Sequence, residues 1–133
     1  MEPFSYFVAP VADPKAQTAI FGVGLLMMLD LLVGIIGAVV THTFSSEKMR
    51  EGLLHKFTEL ACIALAVIFD GWLQCGLKLT VEPVLIGTCI YISIMEAGSV
   101  LELVRKYNPD AEGLIGWLTQ FVQPKGDIMR ADK

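Results

Sequence analysis

Three acidic residues stand inside long apolar stretches of the sequence, where a charged side chain is unfavourable. They are Asp30, Asp70 and Glu96. A carboxylate within a membrane span normally faces the interior of a helix bundle or a water-filled cavity. Each acid taken alone is equally well explained as a hydrogen-bonding contact between helices. Three together favour an arrangement in which water reaches the carboxylates.

Helical periodicity places these acids on faces that carry other polar or small residues. At about 100° per residue, Asp30 shares its face with two glycines, and small residues allow helices to approach closely. The same step aligns Asp70 with Lys56 in a narrow stripe of the second helix. It places Glu96 on the polar half of the third helix surface. The predicted pore-lining or helix-contact residues are Asp30, Gly34, Gly37, Glu59, Asp70, Gln74, Ser93, Glu96, Ser99 and Glu102.

The sequence has none of the residue patterns that catalysis requires. It lacks GxSxG, HExxH, a phosphate-binding glycine loop and a dinucleotide-binding pattern, so we expect no enzyme activity and no cofactor. His42 and His55 have no cysteine or acid cluster at ligand spacing around them and are interpreted as solvated, without a metal site. Cys62, Cys75 and Cys89 are interpreted as small apolar helix residues. No basic stripe indicates nucleic-acid binding.

The composition indicates that a lipid bilayer surrounds these residues. The chain of 133 residues is 54% hydrophobic and only 18% charged, more apolar than an ordinary soluble domain. Crossing a bilayer takes about 20 apolar residues. We predict an all-α membrane protein with a single membrane domain over residues 1–133. Its predicted segments are three transmembrane helices at about 16–43, 57–77 and 83–104, a short amphipathic C-terminal helix at about 110–123, and a polar tail at 124–133.

Local signals set the predicted ends of these helices. The N-terminal segment lacks the basic region of a cleaved signal, so the first apolar run is interpreted as a retained span. Ser45 and Ser46 are good N-cap types, so the second helix is expected to begin before the membrane and to enter it near Lys56. Pro83 suits the first turn of the third helix. Short connections predict that consecutive helices are antiparallel neighbours.

The buried acids have no obvious basic partner in the sequence. Lys56 and Lys78 are expected at the two ends of the second span, where their side chains can extend to the interface. In that position they do not obviously neutralise Asp30 and Glu96. A three-helix bundle has a thin interior, so we expect either protonation or a closed homo-oligomer around water-accessible carboxylates.

Basic residues predict the orientation in the membrane, because cytoplasmic loops carry an excess of Lys and Arg. The predicted cytoplasmic side holds Lys48, Arg50, Lys56, Arg105, Lys106, Lys125, Arg130 and Lys133. The opposite side holds only Lys15 and Lys78. The N-terminus is therefore expected outside and the C-terminus in the cytoplasm.

Several short motifs, in this order, resemble the phage holins of the toxin-secretion/phage-lysis type. Residues 28–38 (MLDLLVGIIGA) are similar to the D-x-x-x-G-x-x-x-A first span of that family. Further similar segments, each in its expected place, are 44–46 (FSS), 52–56 (GLLHK), 66–70 (AVIFD), 94–102 (IMEAGSVLE) and 108–109 (NP). Together they cover about residues 27–122.

The resemblance implies a homo-oligomeric holin in the bacterial cytoplasmic membrane, which forms lesions that let an endolysin or a large toxin cross. Its action would be assembly in the lipid bilayer and not chemistry. Two other functions stay open at this point. One is a small accessory or scaffold subunit whose acids bind a partner's basic residues, and the other is a discrete ion or proton channel.

Overall fold

Helices make up nearly all of the computed structural model, which describes residues 4–78 and 82–122. Its elements are α1 (Ser5–Ala12), α2 (Pro14–Val40), α3 (Ser46–Leu77), α4 (Pro83–Tyr107), a 3-10 turn (Pro109–Ala111) and α5 (Glu112–Val122). Helices α2, α3 and α4 are each long and apolar enough to cross a membrane. The predicted all-α class with three spans is therefore confirmed. The predicted polar tail at 124–133 lies outside the described residues.

The helix ends follow the local sequence signals. The Asp13 carboxylate accepts a hydrogen bond from the Lys15 amide at 2.6 Å, which caps the start of α2. Ser45 has the extended backbone of an N-cap, so α3 begins at Ser46 and, as predicted, well before the apolar segment. Pro83 is in the first turn of α4, as predicted. With 32 residues, α3 is about 48 Å long, longer than the hydrocarbon layer is thick.

Helix α1 was not predicted from the sequence. Pro10 inside it cannot donate a backbone hydrogen bond to the Tyr6 carbonyl, which normally disfavours a helix. Packing of α1 against α3 offsets the loss of this hydrogen bond. The Tyr6 carbonyl lies so close to Gly71 that a Cβ at this glycine would overlap it. Gly71 thus lets a short N-terminal helix lie directly against the α3 backbone.

Helix α4 packs against both α2 and α3, while α2 and α3 themselves approach each other less closely. The prediction that consecutive helices are neighbours is therefore wrong for this pair. The close packing of α2 and α4 depends on one small residue of α2. Gly37 leaves space for the Tyr107 ring of α4, which a Cβ at this position would overlap, whereas a Cβ at Gly34 would lie at an ordinary contact distance of 3.9 Å from the Leu103 side chain. Gly37 thus allows α4 to pack closely on α2.

The apolar core between the helices is small. Its buried members are Ala16, Val23, Met27, Ile63, Ala66, Leu85, Cys89 and Ile92. Many larger apolar side chains face outward instead, among them Phe21 and Trp72, which are 68% and 67% exposed. Such a surface suits lipid or another apolar protein surface and not water.

The close approach of α2 and α4 yields a first testable prediction. Gly37→Leu is expected to destabilise the packed helices by about 1–3 kcal/mol, since its side chain must displace the Tyr107 ring. Thermal unfolding in detergent micelles, followed by circular dichroism, measures the effect. Gly24→Leu is the matched control on the same helix, because nothing lies within 4 Å of a Cβ at Gly24. Equal unfolding temperatures for the two variants would contradict the contact.

Candidate functional site

A lysine joins three carboxylates between the three long helices. The Lys56 amino group lies 2.9 Å from Oδ2 of Asp30 and 3.9 Å from Oε2 of Glu59. It also donates a hydrogen bond to Oε2 of Glu96. Asp30 belongs to α2, Lys56 and Glu59 to α3, and Glu96 to α4. We refer to these four residues as the Lys56 network.

The Lys56 network is shielded from solvent. The side chain of Lys56 is 12% exposed, and those of Glu59 and Glu96 are 8% and 2% exposed. Isolated charges are very costly in such surroundings, whereas ion pairs with good geometry are tolerated. Pairing with Lys56 therefore offsets the cost of burying Asp30 and Glu96, and it does so within one chain.

One expectation about Lys56 is corrected by this arrangement. The Lys56 amino group contacts Asp30 and Glu96, so these two acids do not lack a basic partner. Because α3 begins at Ser46, Lys56 stands about three turns inside the helix. The sequence held one signal for this position, since Lys56 falls on the same stripe of α3 as Glu59 and Asp70.

The Lys56 network holds more carboxyl groups than amino groups. Three carboxylates surround one amino group. Oδ1 of Asp30 and both carboxylate oxygens of Glu59 are buried without a hydrogen-bond partner among the described residues. Buried acceptors without donors are rare in proteins. The cluster is thus equipped to take up additional positive charge.

His55 extends the network toward the surface. Its Nε2 lies 3.2 Å from Oε1 of Glu59, and its side chain is 59% exposed. Possible ligand atoms of His55, Glu59 and Glu96 all lie within 4.8 Å of one another. The interpretation of His55 as a residue without acids at ligand spacing is therefore wrong. The i, i+4 spacing of His55 and Glu59 was the signal that could have revealed it.

Asp70 and Gln74 form a second polar site at the other end of α3. The fully buried carboxylate of Asp70 accepts hydrogen bonds from the backbone amides of Val84 at 3.2 Å and Leu85 at 2.7 Å. Asp70 thereby caps the start of α4. Gln74 donates to the Glu82 carboxylate at 3.0 Å. Sequence reasoning did not identify Glu82, although an acid just before Pro83 is well placed to act at a helix N-terminus.

The remaining predicted residues lie along α2 and α4. Gly34, Ser99 and Glu102 line an open groove of about 470 Å³ together with Asp30. Ser99 and Glu102 are exposed, and Ser93 is half-buried on α4. The structure thus brings Asp30, Glu59 and Glu96 together in one cluster, while Asp70 and Gln74 lie apart from it.

A sequence model of the bacteriophage holin family matches residues 15–110 of the chain. The matched stretch covers almost all of α2 and the whole of α3 and α4. It therefore includes every member of the Lys56 network. Comparisons with curated proteins and with solved structures found no match.

Proposed function

Because the chain belongs to the bacteriophage holin family, we propose that it acts as a holin of the toxin-secretion/phage-lysis type. The family is one of non-enzymatic membrane proteins, and the chain has three candidate spans. In this proposal it accumulates in the bacterial cytoplasmic membrane and self-associates. The resulting lesion lets an endolysin or a large protein toxin cross. The family match across all three spans is the observation that carries the proposal.

The proposed orientation has the N-terminus outside and the C-terminus in the cytoplasm. It rests on the surplus of Lys and Arg on one side of the spans. Lys48 and Arg50 precede the apolar part of α3, and Arg105 and Lys106 end α4. These two helix ends lie on the same side when α3 and α4 cross the membrane in opposite directions. Both would then meet the cytoplasmic surface.

The packed single chain supports a mechanism in which assembly exposes the acids. In the packed form, Lys56 holds the carboxylates of three helices together and away from solvent. The outward surfaces carry apolar residues such as Leu25, Met28 and Ile36 of α2. In the proposed lesion, the helices of several copies separate from this arrangement. Their acidic faces then border water while the apolar faces remain in lipid.

Expression in a bacterial host tests the proposal. The chain is induced with and without a cytoplasmic endolysin, while culture density and leakage of a folded cytoplasmic enzyme are followed. We expect abrupt growth arrest at a reproducible time, with lysis only when endolysin is present. Unperturbed growth despite confirmed membrane insertion would favour an accessory subunit. Leakage of ions without folded protein would favour a discrete channel.

The variant Asp30→Leu tests the proposed role of the acidic faces. We expect normal insertion, because α2 becomes more apolar and Lys56 keeps its hydrogen bond to Glu96. Lysis is expected to be delayed or abolished, since the carboxylate is missing from the lesion. Met28→Leu, an exposed position on the same helix, serves as the control with unchanged timing. Normal lysis timing in Asp30→Leu would argue against a pore role for Asp30.

A further inference from the structure

We propose that His55, Glu59 and Glu96 form a binding site for a divalent cation of the zinc class. The three side chains come from two helices, with His55 and Glu59 on α3 and Glu96 on α4. Their possible ligand atoms lie within 4.8 Å of one another. Ligands bound to one tetrahedral Zn²⁺ at about 2.0–2.2 Å are about 3.3–3.6 Å apart. The His55 and Glu59 atoms, 3.2 Å apart, already match this spacing, and small side-chain movements would bring the group of three together around one ion.

The Glu59 carboxylate is the observation that points to a ligand. Glu59 is only 6% exposed, and neither of its oxygens accepts a hydrogen bond from the described residues. Its basic neighbours are His55, whose Nε2 lies 3.2 Å from Oε1, and the Lys56 amino group, 3.9 Å from Oε2. A carboxylate and an imidazole placed in this way can both coordinate the same ion. A bound cation would thus satisfy the buried oxygens.

The charge of the surroundings favours a cation over any neutral ligand. Among the residues that the structure describes, Lys56 is the single amino group placed among Asp30, Glu59 and Glu96. Lys56 contacts Asp30 and Glu96 closely but stays 3.9 Å from Glu59. Two further positive charges would balance the cluster when all three acids are ionised. One divalent ion at Glu59 supplies that charge.

The donor atoms and the access route indicate which class of ion fits. One imidazole nitrogen with two carboxylates suits Zn²⁺ and similar transition metals, whereas Ca²⁺ and Mg²⁺ prefer all-oxygen sites. A groove of about 800 Å³ between α3 and α4 is lined by His55 and Glu59 and opens to the surface. An ion can therefore enter from His55. Once bound, it would link α3 to α4.

Zinc titration of the full-length protein in detergent micelles, purified without a histidine tag, tests the site. Equilibrium dialysis is expected to give one Zn²⁺ per chain, and Zn²⁺ is expected to raise the thermal unfolding temperature. His55→Ala and Glu59→Gln should each weaken binding about tenfold or more, since the loss even of a hydrogen-bond partner of a metal ligand typically costs this much. Both should also abolish the rise in unfolding temperature.

Two control variants separate this site from adventitious binding. His42→Asn removes the other histidine, and Cys62→Ser removes an exposed thiol that lines the same groove. Both are expected to bind Zn²⁺ like the unchanged protein. If Glu59→Gln fails to fold by circular dichroism, the exposed His55→Ala variant decides. The proposal is overturned if the unchanged protein shows no saturable binding, or if His55→Ala retains full affinity.

Discussion

Replacing Lys56 by methionine is expected to destabilise the packed helices by about 3–5 kcal/mol, the range found when one partner of a buried ion pair is removed. Methionine preserves the length of the side chain and removes its charge. Asp30 and Glu96 would lose their common partner while remaining buried. Reversible unfolding in detergent micelles, followed by circular dichroism, measures the loss.

Lys48→Met is the matched control for this variant. Lys48 is exposed on the same helix, so its substitution removes the same charge from the same flank of the span. Any effect of charge on membrane orientation is then equal in the two variants. If Lys56→Met loses no more stability than Lys48→Met, the ion pairs of Lys56 do not stabilise the packed helices.

A second substitution measures how strongly the contributions of Lys56 and Glu96 to stability depend on each other. Adding Glu96→Gln to Lys56→Met is expected to recover part of the lost stability, because one unpaired buried carboxylate is removed. The difference between the double variant and the sum of the single variants gives the coupling energy of the pair. A coupling energy near zero would show that Lys56 and Glu96 do not act together.

The proposed holin mechanism predicts that substitutions of Lys56 and of Asp30 shift the time of lysis in opposite directions. Lys56 holds the three helices in the packed form, so Lys56→Met is expected to advance lysis in cells that contain endolysin. Asp30→Leu is expected to delay it, because Asp30 is proposed to border the lesion. Immunoblots of the membrane fraction establish that the two variants accumulate equally. The same direction of change in both would contradict separate roles for the two residues.

Hydropathy and length were sufficient to predict the three spans, because crossing a bilayer requires a long apolar helix and little else. Local signals likewise predicted that α3 begins before its apolar segment, near Ser45 and Ser46, and that α4 begins at Pro83, and both helices begin there. Helix α1 was missed for the opposite reason. Eight residues with a proline are too short and too poor a helix by propensity, and the contact that supports them is with Gly71 of α3.

The partners of the acids depended on information that helical periodicity does not contain. Periodicity correctly aligned Lys56, Glu59 and Asp70 on one stripe of α3, but it does not specify which helix faces that stripe. Because Gly37 allows α4 to pack closely on α2, both Asp30 and Glu96 come within reach of the Lys56 amino group. The packing of α2 against α4 thus determines which acids pair with Lys56 of α3.

Asp70 shows the same limit at the other end of α3. Helical periodicity placed Asp70 on the polar stripe of α3, and a carboxylate within a span was expected to face the bundle interior or a water-filled cavity. Its partners, however, are backbone amides of the next helix and not another side chain. Lys78 ends α3 in the left-handed conformation, with a φ of 52°. The first turn of α4 lies beside Asp70, so its backbone amides reach the carboxylate.

Asp70→Ala is expected to cost about 2–4 kcal/mol of stability, because the buried amide of Leu85 and the partly buried amide of Val84 lose their carboxylate acceptor at once. The loss should be larger than that of Asp13→Ala, which removes a cap at the start of α2 where water can replace it, at a cost of about 1 kcal/mol. Asp70→Asn keeps one acceptor oxygen and is expected to fall between the two. Unfolding in detergent micelles ranks the three variants.

Hydrogen exchange locates the same effect in the structure. In Asp70→Ala, the amides of Val84 and Leu85 are expected to exchange faster, while amides near the middle of α2 keep their protection. This contrast follows from the position of Asp70, whose bonds secure the first turn of α4 and leave the Lys56 network intact. Faster exchange spread evenly over all three long helices would show instead that Asp70 supports the whole bundle. Unchanged exchange at Val84 and Leu85 would contradict the cap itself.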